Sequence, residues 1–380
     1  MIQSVSIDNF KSLVDFNIEL SNFNVLVGLN GAGKSTVLQG IDLLSQMMQG
    51  EIDQWLTQRQ WESSDLNSKL SSKKNIAFTV KFALNPEQTL TWTGSFNLTS
   101  LHCTTETVKL GVDTLLQVQK GTVKYLSNKG KSSQSDIMFT YQGSILSALK
   151  EHNLDDSLLS FKQSLLNVRS LDLLSPEQLR AKSISANGKL GLGGERLSAF
   201  LHEIKADEKN KISSELKKVY SQLASFKTKA LSNGEKQLDV TEKFGEKDIT
   251  TSARHLNDGM LRLLAVLSQI GLKDDFLLFD EIENGINPEL IEFLIDHLVN
   301  AKQQVMLTTH SPLVLNFIED DVAKQSVTYL YKTSEGKTKA IKLFDIPSIA
   351  EKLSFMGPGE AFIDTDMLSI WKEIVQISEG

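Results

Sequence analysis

Residues 2–8 (IQSVSID) alternate apolar and polar side chains, the pattern of a strand with one buried face. FNIEL at 16–20 predicts a second strand, and the apolar, β-branched run NVLVG at 24–28 predicts a buried strand ending at a glycine. From 36 to 56 the period changes. Val37, Leu38, Ile41, Leu44, Met48 and Ile52 recur at helical spacing and predict one amphipathic helix. Residues 62–75 are polar and read as a loop. From 76 to about 142, short runs (IAFTVKFAL, TLTWTGSFNL, TVKLGV, LLQVQ, TVKYL, IMFTYQ) predict antiparallel sheet. Helical spacing returns at 144 (ILSALKEHNLDDSLLSFKQSLLNV). After a loop around Pro176 and the glycine-rich SANGKLGLGGER, it resumes over 195–230, where ELKKVYSQLASFKTKA has the period of a surface helix or short coiled arm. GMLRLLAVLSQI at 259–270 predicts a buried helix and FLLFD at 276–280 a buried parallel strand. INPELIEFLIDHLVNAK predicts a helix with Pro288 near its start, QVMLTTH another buried strand, and VTYLYKT-SEG-KTKAIKLF a hairpin.

Buried strands alternating with helices argue for an α/β fold with a mixed or parallel sheet. The head of that fold is expected to be split. Its first part spans 1–95, an insertion that is β-rich and then helical spans 96–240, and its second part spans 241–380.

Composition narrows the function classes. Hydrophobic residues make up 40% and charged residues 23%, ordinary for a globular protein, and the net charge of −7 argues against a wholly basic nucleic-acid surface. The single cysteine, Cys103, rules out an internal disulfide and a cysteine-based metal site, and is expected to be a small core residue. No apolar run approaches the ~20 residues of a membrane helix. The first residues, MIQSVSIDNFKS, lack a basic stretch followed by an apolar one, so a cytoplasmic location without membrane association is expected.

Four motifs carry chemistry. Gly28-Leu29-Asn30-Gly31-Ala32-Gly33-Lys34-Ser35 matches GxxxxGK[ST], between a predicted strand and a predicted helix. Glycines let backbone N–H groups turn toward phosphates, and the helix N-terminus adds its dipole. Lys34 is expected to reach the β- and γ-phosphates of ATP, Ser35 to bind Mg²⁺, and Thr36 to help hold the phosphates. The second motif is FLLFDEIENGINPEL. Asp280 at the strand end can hold the Mg²⁺ shell, and Glu281 can orient or deprotonate the attacking water, although two acids there would also cap the next helix. The third is QVMLTTHSPLV, in which His310 ends a core strand as Asp280 does and could sense the γ-phosphate. The fourth is Asn257-Asp258-Gly259, which by itself is only a helix start.

In that order, a P-loop, a turn-capped helix, a hydrophobic strand ending in Asp-Glu and a strand ending in His resemble the ABC-type ATPase head. IDNFKSL with VLVGLNGAGKST, DEIENGINP and TTHSP resemble the SMC/RecF/OLD branch more than transporter motors, over roughly 1–50 and 240–315. Among its members the chain is most similar to compact OLD-like AAA ATPases, many of which serve bacterial anti-phage systems. The resemblance implies two heads packed head to tail, each ATP held by one P-loop and capped by the other head's Leu256-Asn257-Asp258-Gly259-Met260 turn. Homo-oligomers of two or a higher even number of chains are therefore expected. Asn257 stands where the family usually has Ser, and Asn287 where it has His. Gln142 is a candidate for the Mg²⁺-coupling glutamine of such heads. OLD nucleases carry a Toprim nuclease domain after the ATPase. The segment around Glu360, Asp364 and Asp366 is too short for one and is expected to be a cap or interface, leaving any nuclease output to a separate effector chain.

Three readings remain open: an ATP-switched ATPase controlling an effector in defence, a RecF-like repair ATPase binding DNA directly, and a transporter motor, which the long insertion disfavours. A scaffold that binds ATP without hydrolysing it is a further reading. Lysines 120, 124, 129 and 131 and those between 209 and 218 could mark either a solvated face or nucleic-acid contact.

Overall fold

The computed structural model describes every residue except 129, 173, 273–275, 366–369, 372, 375 and 378–380. The chain forms two compact units, one of residues 1–169, 324–347 and 373–380, the other of 170–323 and 348–372.

In the first unit, eight antiparallel strands lie side by side in the order Phe16–Glu19, Ile2–Asp8, Asn75–Asn85, Gln88–Asn97, His102–Leu110, Asp113–Gln119, Thr122–Leu126 and Ser132–Asp136. The β-rich stretch is thus continuous with the first strands of the chain, and position 95/96 falls inside a strand. Period-2 alternation puts Ile76, Phe78, Val80 and Phe82 on one buried face. Trp92 packs on Phe78 with ring centroids 4.4 Å apart, and Phe161 of helix Asp156–Leu166 closes on Trp92 at 5.7 Å. The last strand is Ser132–Asp136. The expected strand at IMFTYQ is absent, because Met138 and Phe139 stand exposed with nothing to bury them.

The P-loop strand Phe23–Val27 is buried throughout and runs parallel to Val327–Lys332, which turns back through a hairpin into Thr338–Lys342. The helix after the loop is Lys34–Gln49 and buries Val37, Leu38, Ile41, Leu44 and Met48 as the spacing implies. It does not continue to 56. Gly50 adopts a left-handed conformation and donates to Gln46 O, and a second helix, Ile52–Arg59, starts afresh. A buried Asp42 clamps the two, accepting from Trp55 Nε1 and Arg59 Nη2, each at 2.7 Å.

The second unit contains the parallel pair Phe276–Phe279 and Gln304–Thr308, the buried helix Asp258–Gln269 and helix Pro288–Val299. It also corrects one expectation. The helix of ELKKVYSQLASFKTKA stops at Val219, and Leu223–Ala230 is the first strand of a three-stranded antiparallel sheet with Lys236–Phe244 and Lys247–Ser252. Leu223 and Phe226 are spaced three apart, which suits a helix as well as a bulged strand, and the register does shift between Leu223 and Ser225.

Candidate functional site

The residues of the P-loop lie together in the first unit. Gly33 N-caps the long helix at φ +108 with no side-chain cap, so the first-turn N–H groups of a sixteen-residue helix are left for a ligand, and no acidic residue sits in that turn. Asn30 and Gly31 are exposed, and Ser35 and Thr36 are half-buried in the first turn. Lys34 is buried, its Nζ donating to Gly28 O at 2.9 Å and Leu29 O at 3.3 Å, so the ammonium is folded over the loop. These features suit a triphosphate.

Two glycines are sterically required here. A Cβ on Gly28 would lie 2.3 Å from Leu330 O, and one on Gly33 would lie 2.4 Å from Thr338 Oγ1. Thr338, which the sequence motifs do not signal, underpins the loop. Its hydroxyl donates to Ala32 O at 2.9 Å, meets Ser12 Oγ at 2.8 Å and accepts from Lys332 Nζ at 2.9 Å. Ser12 belongs to the IDNFKSL stretch, which is held onto the P-loop helix at Gly40. A Cβ there would come within 2.8 Å of Ile7 Cδ1 and 3.3 Å of Leu13 Cδ1.

Gln142, also in this unit, pairs with Asp53. Its Oε1 accepts from Asp53 N at 3.0 Å and its Nε2 donates to the Asp53 carboxylate. It thereby caps helix Ile52–Arg59 and lines a shallow, open cleft with Glu51, Gln54, Ser100, Thr140 and Tyr141. Behind it, buried Glu106 accepts from Trp92 Nε1 at 2.8 Å, from Ser144 Oγ and from Ile145 N at 3.0 Å. Burial holds its carboxyl above the usual carboxylate range despite those donors. Cys103 is buried beside it, its thiol pushed well up by burial and by Glu106.

The second unit brings Asp280, Glu281 and His310 together. Asp280 accepts from Thr308 Oγ1, and that same oxygen accepts from Glu281 N at 2.8 Å. His310 Nε2 is 3.4 Å from Glu281 Oε1. Glu281 Oε2 accepts from Asn284 Nδ2. Glu281 adopts φ +46, a left-handed conformation that costs a non-glycine residue about 1–2 kcal/mol. Strained positions of this kind cluster at functional sites. Its side chain remains 44% exposed and able to meet a ligand or water. Glu283 fixes the end of the next strand by accepting at Oε1 from His310 N (2.8 Å) and Ser311 N (3.1 Å). Thr308 and Glu283 lie inside quoted motifs, but nothing in residue type alone marks them as the braces of their neighbours.

The Asn257-Asp258-Gly259 turn, which stands where the resemblance puts the signature of an ATPase head (hence signature turn), is in this unit too. Asn257 caps helix Asp258–Gln269 by accepting from Met260 N at 2.8 Å, a cap worth about 1 kcal/mol. Asp258 is paired with Arg180, which also donates to Leu256 O at 2.8 Å. Gly259 is packed under Gly285 O, 3.2 Å from where a Cβ would sit. Asn287 N-caps helix Pro288–Val299 through its backbone only.

Other candidates carry less. Asp364 pairs with Lys352 at 2.9 Å, Asp366 lies outside the described residues, and among the described residues no group of three His, Cys, Asp or Glu is placed to hold a metal ion. Lys120 in a turn, Lys124 in the middle of strand Thr122–Leu126 and Lys131 just before strand Ser132–Asp136 are exposed, Lys129 lies outside the described residues, and Lys218 is paired with Glu215 at 2.6 Å. No helix among the described residues is long and apolar enough to cross a membrane.

Comparison with known proteins places this architecture. Residues 1–164 match the profile of the AAA ATPase domain family, and residues 133–316 match a profile described as AAA domain, putative AbiEii toxin, type IV TA system. The OLD nuclease of Thermus scotoductus is 25% identical over 332 residues, covering 82% of this chain and 59% of that protein. An uncharacterised ABC transporter ATP-binding protein of Bacillus subtilis, YfmR, is 30% identical over 95 residues, 24% of this chain and 15% of that one. The chain thus spans less than two thirds of either relative. Among solved structures, an SMC head bound to the C-winged helix domain of ScpA matches with a TM-score of 0.53 at 14% identity, over 90% of this chain and 97% of that one. The SMC head with extended coiled coil from Pyrococcus furiosus, bound to the C-terminal domain of ScpA, matches with a TM-score of 0.52 at 14% identity, over 93% and 99%. These two likenesses speak to the fold, an SMC-head P-loop fold: the alternation of strands and helices implied an α/β fold, and the resemblance of the motifs implied the ATPase head. With AAA profiles matching residues 1–164 and 133–316 and an OLD nuclease similar along 82% of this chain, the chain is similar to AAA ATPases of the OLD type, and it carries the head motifs in their order.

Proposed function

We propose that this chain binds and hydrolyses Mg-ATP, dimerises head to tail around it, and thereby controls a separate effector, a nuclease or toxin, in bacterial anti-phage defence. The observation that carries the catalytic part is the Asp280–Thr308–Glu281–His310 cluster, in which one threonine hydroxyl braces both acids and Glu281 is held in a left-handed conformation. The N–H groups of the P-loop and Lys34 bind the phosphates. Ser35 and Asp280 would hold Mg²⁺, which when bound withdraws charge from the phosphates. Glu281 takes the proton of the attacking water, and His310 beside it orients that carboxylate and reads the γ-phosphate. Gln142 is a further candidate for the metal shell, once released from Asp53.

The dimeric cycle uses the Asn257-Asp258-Gly259 turn as a cap on the partner's ATP. The effector reading draws on the names of the matches, an OLD nuclease and a toxin-linked AAA domain. It places the protein in the cytoplasm. A second reading, drawn from the resemblance of IDNFKSL and VLVGLNGAGKST to the RecF branch, is that the chain binds DNA directly. A steep fall of DNA affinity with salt would single that reading out.

The test is the solution mass of Glu281→Gln by light scattering with and without Mg-ATP, alongside its ATPase rate. A shift to the next even oligomer with turnover lost is the expected result, and Lys34→Ala should lose nucleotide binding. Wild-type turnover by Glu281→Gln would refute the assignment of the base.

A further inference from the structure

Arg262 has no place in the motifs, yet it joins two of them. It sits one turn into the signature helix, and its Nη2 donates to Leu174 O at 2.9 Å while its Nη1 reaches Glu281 O at 3.4 Å. Nε is buried with no hydrogen-bond partner. The guanidinium lies among the carboxylates of Glu281, Asp258 and Glu283. The backbone around it is in close contact as well. Positions where Cβ atoms would project from Gly285 lie 3.6 Å from Asp258 Cβ and 3.9 Å from Arg262 Cδ, and Gly259 is packed under Gly285 O. The loop that begins at Glu281 therefore rests on the turn that begins at Asn257.

A planar guanidinium presents its donors in a fixed fork, whereas those of an ammonium rotate on a flexible stem and hold no set direction. Its contact to Glu281 O is long, so it has room to shorten if the turn shifts. Glu281 already occupies a costly backbone conformation, and a small change in that contact bears directly on it.

We propose that Arg262 is a positioning residue that ties the signature turn to the main chain of Glu281 in the same head, so that engagement of the turn sets the water-activating carboxylate. The consequence is regulatory. In a head-to-tail dimer the turn caps the partner's nucleotide while Glu281 acts on the head's own, so occupancy of one site governs turnover at the other. This inference rests on the hydrolytic, dimeric reading given above.

The test compares Arg262→Lys and Arg262→Gln with the wild type in steady-state ATP hydrolysis and in equilibrium binding of a fluorescent ATP analogue. Both variants should lose at least tenfold in kcat, bind the analogue within about threefold of wild type, and lose any sigmoidal dependence of rate on ATP. A merely structural role would move binding and kcat together, and that outcome overturns the proposal. So does rescue by Arg262→Lys, which would mean that charge alone suffices, and so does a wild-type kcat in both. Glu281→Gln, assayed in parallel, separates the two levels. If it abolishes turnover while the Arg262 variants are normal, the hydrolytic reading stands and the coupling fails. If Glu281→Gln itself turns over, both fall.

Discussion

Gly33→Ala tests the architecture of the phosphate loop with one methyl group. Two costs arise at this position, and they can be separated. The first is conformational: φ +108 lies outside the wells that an L-residue with a Cβ occupies comfortably, at a cost of about 1–3 kcal/mol. The second is steric: the new Cβ would stand 2.4 Å from Thr338 Oγ1, 2.9 Å from its Cγ2 and 3.2 Å from its Cβ. Thr338 cannot simply rotate away, because its hydroxyl is committed to Ala32 O, Ser12 and Lys332. Overpacking of this kind costs about 1–3 kcal/mol. Together they come to about 2–6 kcal/mol, taken from the loop that must present its N–H groups to phosphate, or roughly 30-fold or more in nucleotide affinity. A double-mutant cycle resolves the two terms. Gly33→Ala, Thr338→Ala and the double variant would be compared by fluorescent-nucleotide binding and urea denaturation. Thr338→Ala alone should cost about 1–2 kcal/mol in lost hydrogen bonds. The steric part should vanish in the double variant, giving a coupling of about 1–3 kcal/mol, while the conformational part persists. Additivity within about 0.5 kcal/mol would refute the steric argument, and wild-type binding by Gly33→Ala would refute both.

Two further outcomes follow from buried polar groups. Asp42→Ala strands the Arg59 guanidinium and the Trp55 indole N–H under the P-loop helix, and should destabilise by about 3–5 kcal/mol in urea unfolding; a loss under 1 kcal/mol would show that the pair contributes little. Glu106 binds its proton more tightly in the folded chain than in the unfolded one. Its contribution is therefore fully present below the ordinary glutamate range and is lost as pH rises from there through its raised value. Glu106→Gln should cost about 1–3 kcal/mol near pH 4.5, since one bond to Ile145 N or Ser144 is lost, and the gap to wild type should narrow toward pH 8. Unfolding curves measured at both values that keep a constant gap would contradict it.

Much of this was legible in the sequence because short motifs and buried runs obey local rules. The alternation at 76–82, the Gly-rich loop before Lys34 and the runs FLLF and QVMLT each read as the element they form. What failed did so where two periods overlap. Leu223 and Phe226 satisfy a helical spacing, and only pairing with Lys236–Phe244 makes them a strand. The single helix expected over 36–56 breaks at Gly50, a residue a helical pattern tolerates until its left-handed φ is known. Around the candidate site, the candidate residues were readable as motifs and the residues that brace them were not. Thr338, Thr308, Glu283 and Arg262 act through contacts 19 to 326 positions away, and no local pattern encodes such distances.

The hydrogen bond between Ser12 and Thr338 joins residues 326 apart, and Thr338 is the prop beneath Gly33. During synthesis the GxxxxGKS motif leaves the ribosome well before the strand that buttresses it, since Ala32 and Thr338 are 306 positions apart. A nascent chain halted before residue 338 would carry every phosphate-binding residue of the loop and still present it without its brace. Nucleotide affinity should thus appear only once residue 338 has emerged and paired, although the loop itself was made some 306 positions earlier.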